Sequence, residues 1–370
     1  MDTEKVLGDD ADLALRYPDD NCAAIYPGFG PPKDPQTEFA NYLNHTNLQI
    51  LASQYISSTQ LAQSVGKPFH MFETNTASCG GFKGISNSFG SALWAADFGF
   101  QMAHTNFSEA LLHVGGQNVY YNPFLAPPTG QSGYHQWTVG PIFYATLILA
   151  EAFGKSGTSR IIDLAANTAN PYTPAYAIWQ QGVLSKLALF NYVTDPTGAA
   201  ASTVTFSIGG GQTGQPSATP ASVRVKYLLS DSVGSRNITW ANQTFGHYFE
   251  SDGRFKGDLH IDTVNCNGDG TCTVKVPAPG FALVFITDDP DNLGTSGSHT
   301  FTTTAYTKTI NTATVDPSVL ANSNGHSGKD RALHGSTSYG SRNGAVGLKV
   351  DGVLSVVYVM VGCVVVWFAL

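Results

Sequence analysis

The chain has 370 residues, 42% hydrophobic and 12% charged, and its 27 acidic residues outnumber its 19 basic ones by eight. That length is enough for one large domain or two ordinary ones with a sizeable core. The mild acidity excludes the basic stripes of a nucleic-acid-binding surface, so no nucleic-acid partner is expected.

Residues 1–12 are acidic and carry no pattern. Ala11 to Tyr17 reads as a short strand stopped by Pro18, and a Gly/Pro-rich loop runs on to Pro35. From Gln36 to Val65, Phe39, Tyr42, Leu43, Ile50, Leu51, Tyr55, Ile56 and Leu61 recur at helical spacings, with a break into two helices at Asn44 to Asn47. Pro68 to Phe72 is a short apolar run between turn formers, which predicts a buried strand ending on Glu73. Barrel enzymes keep catalytic groups at the C-terminal ends of strands that feed helices. Glu73 is therefore either such a group or a cap on the following turn.

Ser86 to Thr105 reads as an apolar helix and Glu109 to Val114 as another short strand. A polar and aromatic loop, Gly115 to Pro123, follows. Trp137 to Phe153 reads as a third helix, closed by Gly154 at a normal C-cap position. Alternating strands and helices predict a parallel α/β architecture, although three such units cannot close an eight-stranded barrel. After Gly154 the pattern becomes short strands: Arg160–Leu164, Ala175–Gln180, Leu184–Val193, Ser202–Ile208, Val223–Leu229, Asp258–Val264, Thr273–Val276 and Phe281–Ile286. Turn signals separate them, which predicts an antiparallel sandwich. Residues 291–352 form a Ser/Thr/Gly-rich stalk, and residues 353–370 are almost wholly apolar.

Cys266 and Cys272 flank the tight-turn sequence Asn267-Gly268-Asp269-Gly270-Thr271. A hairpin stapled by a disulfide is the simplest reading, and Cys22 with Cys79 forms a second candidate bridge between two loops. Oxidised pairs imply a secretory route. Sequons at Asn44, Asn237 and Asn242 agree with it, whereas the one at Asn106 is expected to be too buried for modification. The polar stretch and the apolar tail after it match a glycosylphosphatidylinositol attachment signal, with a tail-anchored helix as the alternative. Both place the protein outside the cell or on its surface, attached to a membrane. Met1 to Lys5 opens no signal peptide, so the chain reads as a fragment or an incomplete gene product. The His residues show no metal-ligand spacing, so no metal is expected. Gly209-Gly210-Gly211 lacks the Lys-Ser/Thr of a phosphate loop, and no serine-hydrolase elbow occurs.

Three motifs carry a family resemblance. They are Phe72-Glu73-Thr74-Asn75-Thr76-Ala77-Ser78-Cys79-Gly80-Gly81, then Ser88-Phe89-Gly90-Ser91-Ala92-Leu93-Trp94, then His113-Val114-Gly115-Gly116-Gln117-Asn118 with Tyr120-Tyr121-Asn122-Pro123-Phe124. With Asn170-Pro171-Tyr172-Thr173-Pro174-Ala175-Tyr176, they resemble the C-terminal part of fungal glycoside hydrolase family 79, from about Leu13 to Asp288. That family holds β-glucuronidases and is related to heparanase.

The resemblance implies a fold that is α/β plus all-β. An incomplete (β/α)8 TIM barrel, about its last three β/α units, occupies residues 1–157, and an antiparallel β-sandwich domain occupies residues 158–290. It implies retaining hydrolysis of glucuronic-acid-containing carbohydrate with no cofactor. Such chemistry uses two carboxyls about 5–5.5 Å apart, one attacking the anomeric carbon and the other serving as acid and base. Glu73 matches the nucleophile, and Tyr17 matches the tyrosine that orients it. Arg16 stands where the family usually has His. Main-chain N–H groups at Gly80 and Gly81, with a hydroxyl of Tyr120 or Tyr121, fit the pocket for the sugar carboxylate; core packing is the other reading of both tyrosines. The family's acid/base residue lies on an earlier strand that this chain does not contain. Asp19 and Asp20 are the only local substitutes, and turn formation is their commoner role. The expectation is therefore a β-glucuronidase-type hydrolase, truncated and weakly active or inactive. The alternative is a non-catalytic surface protein that binds carbohydrate or plays a structural part.

Overall fold

The structure, a computed structural model, describes residues 6–7, 12–116, 119–127, 136–195, 197, 199–210, 213–287 and 317. The stalk at 291–352 (Pro317 apart) and the tail at 353–370 lie outside the described residues. Strands β1 (Val6–Leu7), β2 (Asp12–Leu15), β3 (Phe69–Thr74) and β4 (Glu109–Leu112) make one sheet in that order. β2, β3 and β4 are mutually parallel. Helices α1 (Pro35–Tyr42), α2 (His45–Ser53) and α3 (Ile56–Ser64) connect β2 to β3, and α4 (Phe89–His104) connects β3 to β4. β1 joins β2 antiparallel, an element too short to leave a period in the sequence.

The expected run of one or two helices from 36 to 65 is three. Asn44 ends the first by capping α2: its side chain accepts the Thr46 N–H at 3.0 Å. The expected helix from Trp137 starts only at Pro141. Pro favours the first helical turn and pushes the residue before it away from helical angles. Thr138–Val139 (β6) instead pairs antiparallel with Phe124–Leu125 (β5), and α5 runs from Pro141 to Phe153. α4 buries 13 of its 16 residues, the mark of a helix covered on every side.

The later strands are β7 (Arg160–Asp163), β8 (Ala175–Gln180), β9 (Val183–Asn191), β10 (Ser202–Phe206), β11 (Ser222–Leu229), β12 (Thr239–Trp240), β13 (Asp262–Asn265), β14 (Cys272–Val276) and β15 (Gly280–Phe285). Seven of them form an antiparallel sheet ordered β12-β11-β15-β9-β8-β7, with β13 also on β11; β10 and β14 form a separate two-stranded ribbon. Period-two alternation gives the large sheet two apolar faces. Ala175, Ala177, Leu187, Leu189, Val225 and Val284 meet Cys272, Val274 and Val276 of the ribbon. Tyr176, Ile178, Phe190, Phe281 and Leu283 belong to the cluster that also holds Trp94 and Phe100 of α4 and Ile148 of α5.

Across residues 157–158, one face of the seven-stranded sheet completes the burial of α4 and α5 within a single unit. One expectation changes here: the sequence around Cys266 and Cys272 is not a hairpin, because β13 pairs with β11 while β14 pairs with β10 in the ribbon. The turn between them, closed by Asn267 N–H to the Thr271 carbonyl at 2.6 Å, moves the chain from one sheet to the other. The Cys266–Cys272 disulfide closes that corner.

Candidate active site

Phe69, Met71 and Thr74 of β3 are all buried, so the alternation slips by one residue at Phe72–Glu73. Both neighbouring ladders shift register there, between Ala14 and Leu15 and between Met71 and Thr74. The slip turns Glu73 away from the packed face, as bulges beside active sites do. The Tyr17 hydroxyl donates to Glu73 Oε1 at 2.8 Å. His113 Nδ1 lies 4.0 Å from the same oxygen, and the two side chains keep 27% and 26% of their surface open. The rings of Tyr17 and His113 meet edge to face at 6.5 Å. Tyr121, only 2% exposed, holds its hydroxyl 2.8 Å from His113 Nδ1.

Backbone contacts set these groups. Arg16 N–H donates to the Glu73 carbonyl at 3.0 Å, and His113 N–H donates to the Thr74 carbonyl at 2.9 Å. Arg16 therefore helps to hold the strand end, and the Tyr17–Glu73 bond forms beside it. The Cys22–Cys79 disulfide ties the segment after Tyr17 to the loop after Glu73, with Cα atoms 5.0 Å apart. Asn21 Nδ2 donates to the Gly81 carbonyl at 2.8 Å, and Tyr120 N–H donates to the Gly80 carbonyl at 2.8 Å. Gly81 N–H faces the Ser78 carbonyl at 3.5 Å, the outer limit of a hydrogen bond. A Cβ at Gly81, where φ is +75°, would sit 2.5 Å from Ser86 Oγ and 2.9 Å from the Tyr121 ring. Glycine is required there by conformation and by space.

The sequence-predicted groups thus separate. Glu73, Tyr17 and the Gly80–Gly81 loop meet at one end of the parallel strands. Tyr121 is a buried prop behind His113, and Tyr120 is half-buried in an adjoining cavity with Asn122. Asp19 and Asp20, the local acid candidates, both pair with Lys33, Asp20 at 3.2 Å. Glu109 pairs with His70 at the opposite end of β3 and β4. Glu151 pairs with Lys226 on the large sheet. Among the described residues, no group of three or more His, Cys, Asp or Glu is arranged to hold a metal ion.

Two functional contacts escaped the sequence reading. His113 stood inside a family motif, and only the register beyond β4 shows that it faces Glu73. Asn122 accepts the Gly115 N–H at 2.9 Å and donates to the Gly115 and Gly116 carbonyls at 2.9 and 3.0 Å, so one side chain closes the whole loop. Asn44 is a helix cap, and Asn237 and Asn242 are exposed. Asn106 corrects an expectation: it is exposed, because a left-handed turn (φ +67°) between α4 and β4 brings it to the surface.

Residues 175–283 match the family model described as the glycosyl hydrolase family 79 C-terminal beta domain. The chain carries a family 79 β domain. A β-glucuronidase from Aspergillus niger is 25% identical over 264 residues, covering 65% of this chain and 46% of that protein. Another, from Neurospora crassa, is 24% identical over 211 residues, covering 53% and 37%. The chain thus spans less than half the length of the curated relatives it matches. A solved 4-O-α-L-rhamnosyl-β-D-glucuronidase from Fusarium oxysporum 12S, in complex with Rha-GlcA, superposes with a TM-score of 0.56 at 21% identity. That match covers 74% of this chain and 52% of the other, and it shows a shared fold. The family 79 segment runs from β8 almost to the end of β15, so the site around Glu73 lies on elements that precede it.

Proposed function

We propose that this chain belongs to a retaining glycoside hydrolase of β-glucuronidase type, acting on glucuronic-acid-containing glycans with Glu73 as nucleophile. The observation that carries the reading is the Tyr17 hydroxyl at 2.8 Å from a part-exposed Glu73 carboxylate at the C-terminal end of a parallel strand. Family 79 membership of the β domain and the names of its relatives support the substrate class. Glu73 Oε attacks the anomeric carbon as the bond to the leaving oxygen breaks and that oxygen takes a proton from solvent. Water then attacks the anomeric carbon of the glycosyl ester, its second proton passing to solvent, which returns the carboxylate and releases the sugar. Tyr17 fixes the carboxylate and steadies its charge. The Gly80–Gly81 loop and Tyr120 supply neutral donors for the sugar carboxylate, which suit an anion held near an anion.

Among the described residues, the side chains placed against the Glu73 carboxylate are Tyr17 and His113, and the acids discussed above are engaged elsewhere. Weak turnover of unactivated glycosides by this chain is part of the proposal. This observation also favours a second reading, a carbohydrate-binding protein without turnover. A 2-deoxy-2-fluoro-β-glucuronyl fluoride separates the two, because its leaving group needs little protonation. Mass spectrometry should find the fluoroglucuronyl adduct on Glu73, and none in Glu73→Gln. Binding of a glucuronide without any adduct would favour the second reading. The disulfides and exposed sequons support an extracellular setting, with residues 353–370 proposed as a signal that is exchanged for a glycosylphosphatidylinositol anchor. Release of the protein from intact cells by a phosphatidylinositol-specific phospholipase tests that part.

A further inference from the structure

A cleft with a cavity volume of about 100 Å³ opens beside the candidate site, between the loop that ends in Asn122 and the segments around Arg236 and Tyr248. Tyr120 and Asn122 line it. These two residues also hold the Gly80 carbonyl and the Gly115–Gly116 backbone, so the cavity shares its wall with the proposed glucuronide pocket. Its far wall comes from the β domain. The Arg236 guanidinium carbon lies over the Tyr248 ring, 4.0 Å from its centre. No salt bridge to Arg236 occurs among the described residues. Burial lowers its pKa with no neighbouring acid to offset the effect. A half-buried cation held on an aromatic face, with its hydrogen-bonding edge available, suits an anionic partner.

The surroundings suit a sugar. Phe124 and Trp137 are 39% and 41% exposed, and Tyr248 is 44% exposed. Phe124 pairs with Val139 of the cavity wall, and Trp137 bridges to Ser251 close to Tyr248 in the chain. Exposed aromatic faces beside a few polar groups are how proteins hold the apolar faces of polar ligands.

We propose that this cavity is a second subsite, in which Arg236 binds the carboxylate of a uronate residue linked to the glucuronide at Glu73. The proposal rests on the reading of Glu73 given above and narrows the substrate to glycans with two adjacent acidic sugars. The β domain then takes part in substrate choice, beyond its role in covering the helices.

Calorimetry on the full chain carrying Glu73→Gln tests it with three ligands: phenyl β-glucuronide, a β-glucuronosyl disaccharide with a neutral second sugar, and the same disaccharide with a uronate second sugar. The uronate disaccharide should bind about tenfold more tightly than the neutral one at low salt, a preference of about 1.4 kcal/mol. Added salt should shrink that preference. Arg236→Ala should abolish it while leaving the other two affinities unchanged, and Arg236→Lys should restore part of it. An unchanged unfolding temperature for Arg236→Ala establishes that the variant is folded. Survival of the preference in Arg236→Ala, or equal weakening of all three ligands, overturns the second subsite while leaving the glucuronide reading intact. Failure of all three ligands to bind the parent chain overturns both.

Discussion

Glu73 owes its place to one irregular residue pair. Without the slip at Phe72–Glu73, strict alternation would set the carboxylate on the side of Phe69 and Met71, where an ion is costly. Tyr17→Phe removes a hydrogen bond to a charged group, worth about 1.5–3 kcal/mol. Labelling of Glu73 by the fluoroglucuronide should slow by roughly 10- to 100-fold in that variant, read as the rate of adduct formation. Gly81→Ala is expected to cost about 1–3 kcal/mol in backbone strain and to displace Tyr121, read as a lower unfolding temperature. Glu73 drew attention in the sequence because it ends a recognisable short strand, and Tyr17 only through the family resemblance. His113 was not legible, because its approach to Glu73 depends on a register shift, and period two carries no trace of such a shift.

At the level of elements, two polar clusters join the helices to the large sheet. His45 of α2 contacts Asp97 of α4 and Asp163 of β7, both at 3.0 Å, and Asp97 also accepts from Tyr192 at 2.7 Å. Burial pulls His45 down from its ordinary 6.5, but hydrogen bonds to Asp163 and Asp97 outweigh it and carry the group up to about 10. Burial lifts Asp163, but its bonds to His45, the Ala165 N–H and Gln49 outweigh that and take it from 3.8 to about 2. A raised His contributes fully below its unfolded value and loses that contribution as pH climbs through its folded value; a depressed Asp behaves in the opposite sense. This cluster should therefore stabilise most between about pH 3.8 and 6.5, fading toward about 10 on one side and about 2 on the other. Thermal unfolding across that range checks it, and His45→Gln should flatten the alkaline limb. The second cluster is Lys226 of β11 with Glu151 of α5, largely buried, where Glu151 also accepts from Trp240 at 3.2 Å. Glu151→Ala removes the carboxylate from a buried ion pair and is expected to cost about 3–5 kcal/mol in chemical denaturation. The longer strands of this sheet were legible to within two residues from their apolar runs and flanking turns, whereas the two-residue β12 left no signal and β13 begins at Asp262, not at Asp258 as expected. Helix limits were less so: the cap at Asn44 and Pro141 set them, and hydrophobic spacing runs past both.

Across the whole molecule, the seven-stranded sheet cannot be read as a module standing apart. Tyr176, Ile178, Phe190, Phe281 and Leu283 are at most 1% exposed, and they share one core with α4 and α5. Residues 158–290 expressed alone would present that face to water, far beyond the apolar patch a soluble monomer normally shows. The fragment is expected to aggregate or to lack a cooperative unfolding transition, whereas the full chain should show one by calorimetry. The change of fold class after Gly154 was legible from composition and period. The shared core was not, because it depends on which face of the sheet meets which helix.

The bridge between Cys22 and Cys79 has a further consequence, for the protein's fate under proteases. Residues 26–34 form an exposed stretch after the short 3₁₀ turn Cys22–Ala24, and they lie inside the covalent ring that the disulfide closes. Exposed loops of small and polar residues are where cleavage begins. A cut there leaves two polypeptides that stay linked, with Tyr17 on one and Glu73 on the other. The nicked protein should migrate as one species without reductant and as two with it, and it should keep its reactive carboxylate until the bridge is reduced.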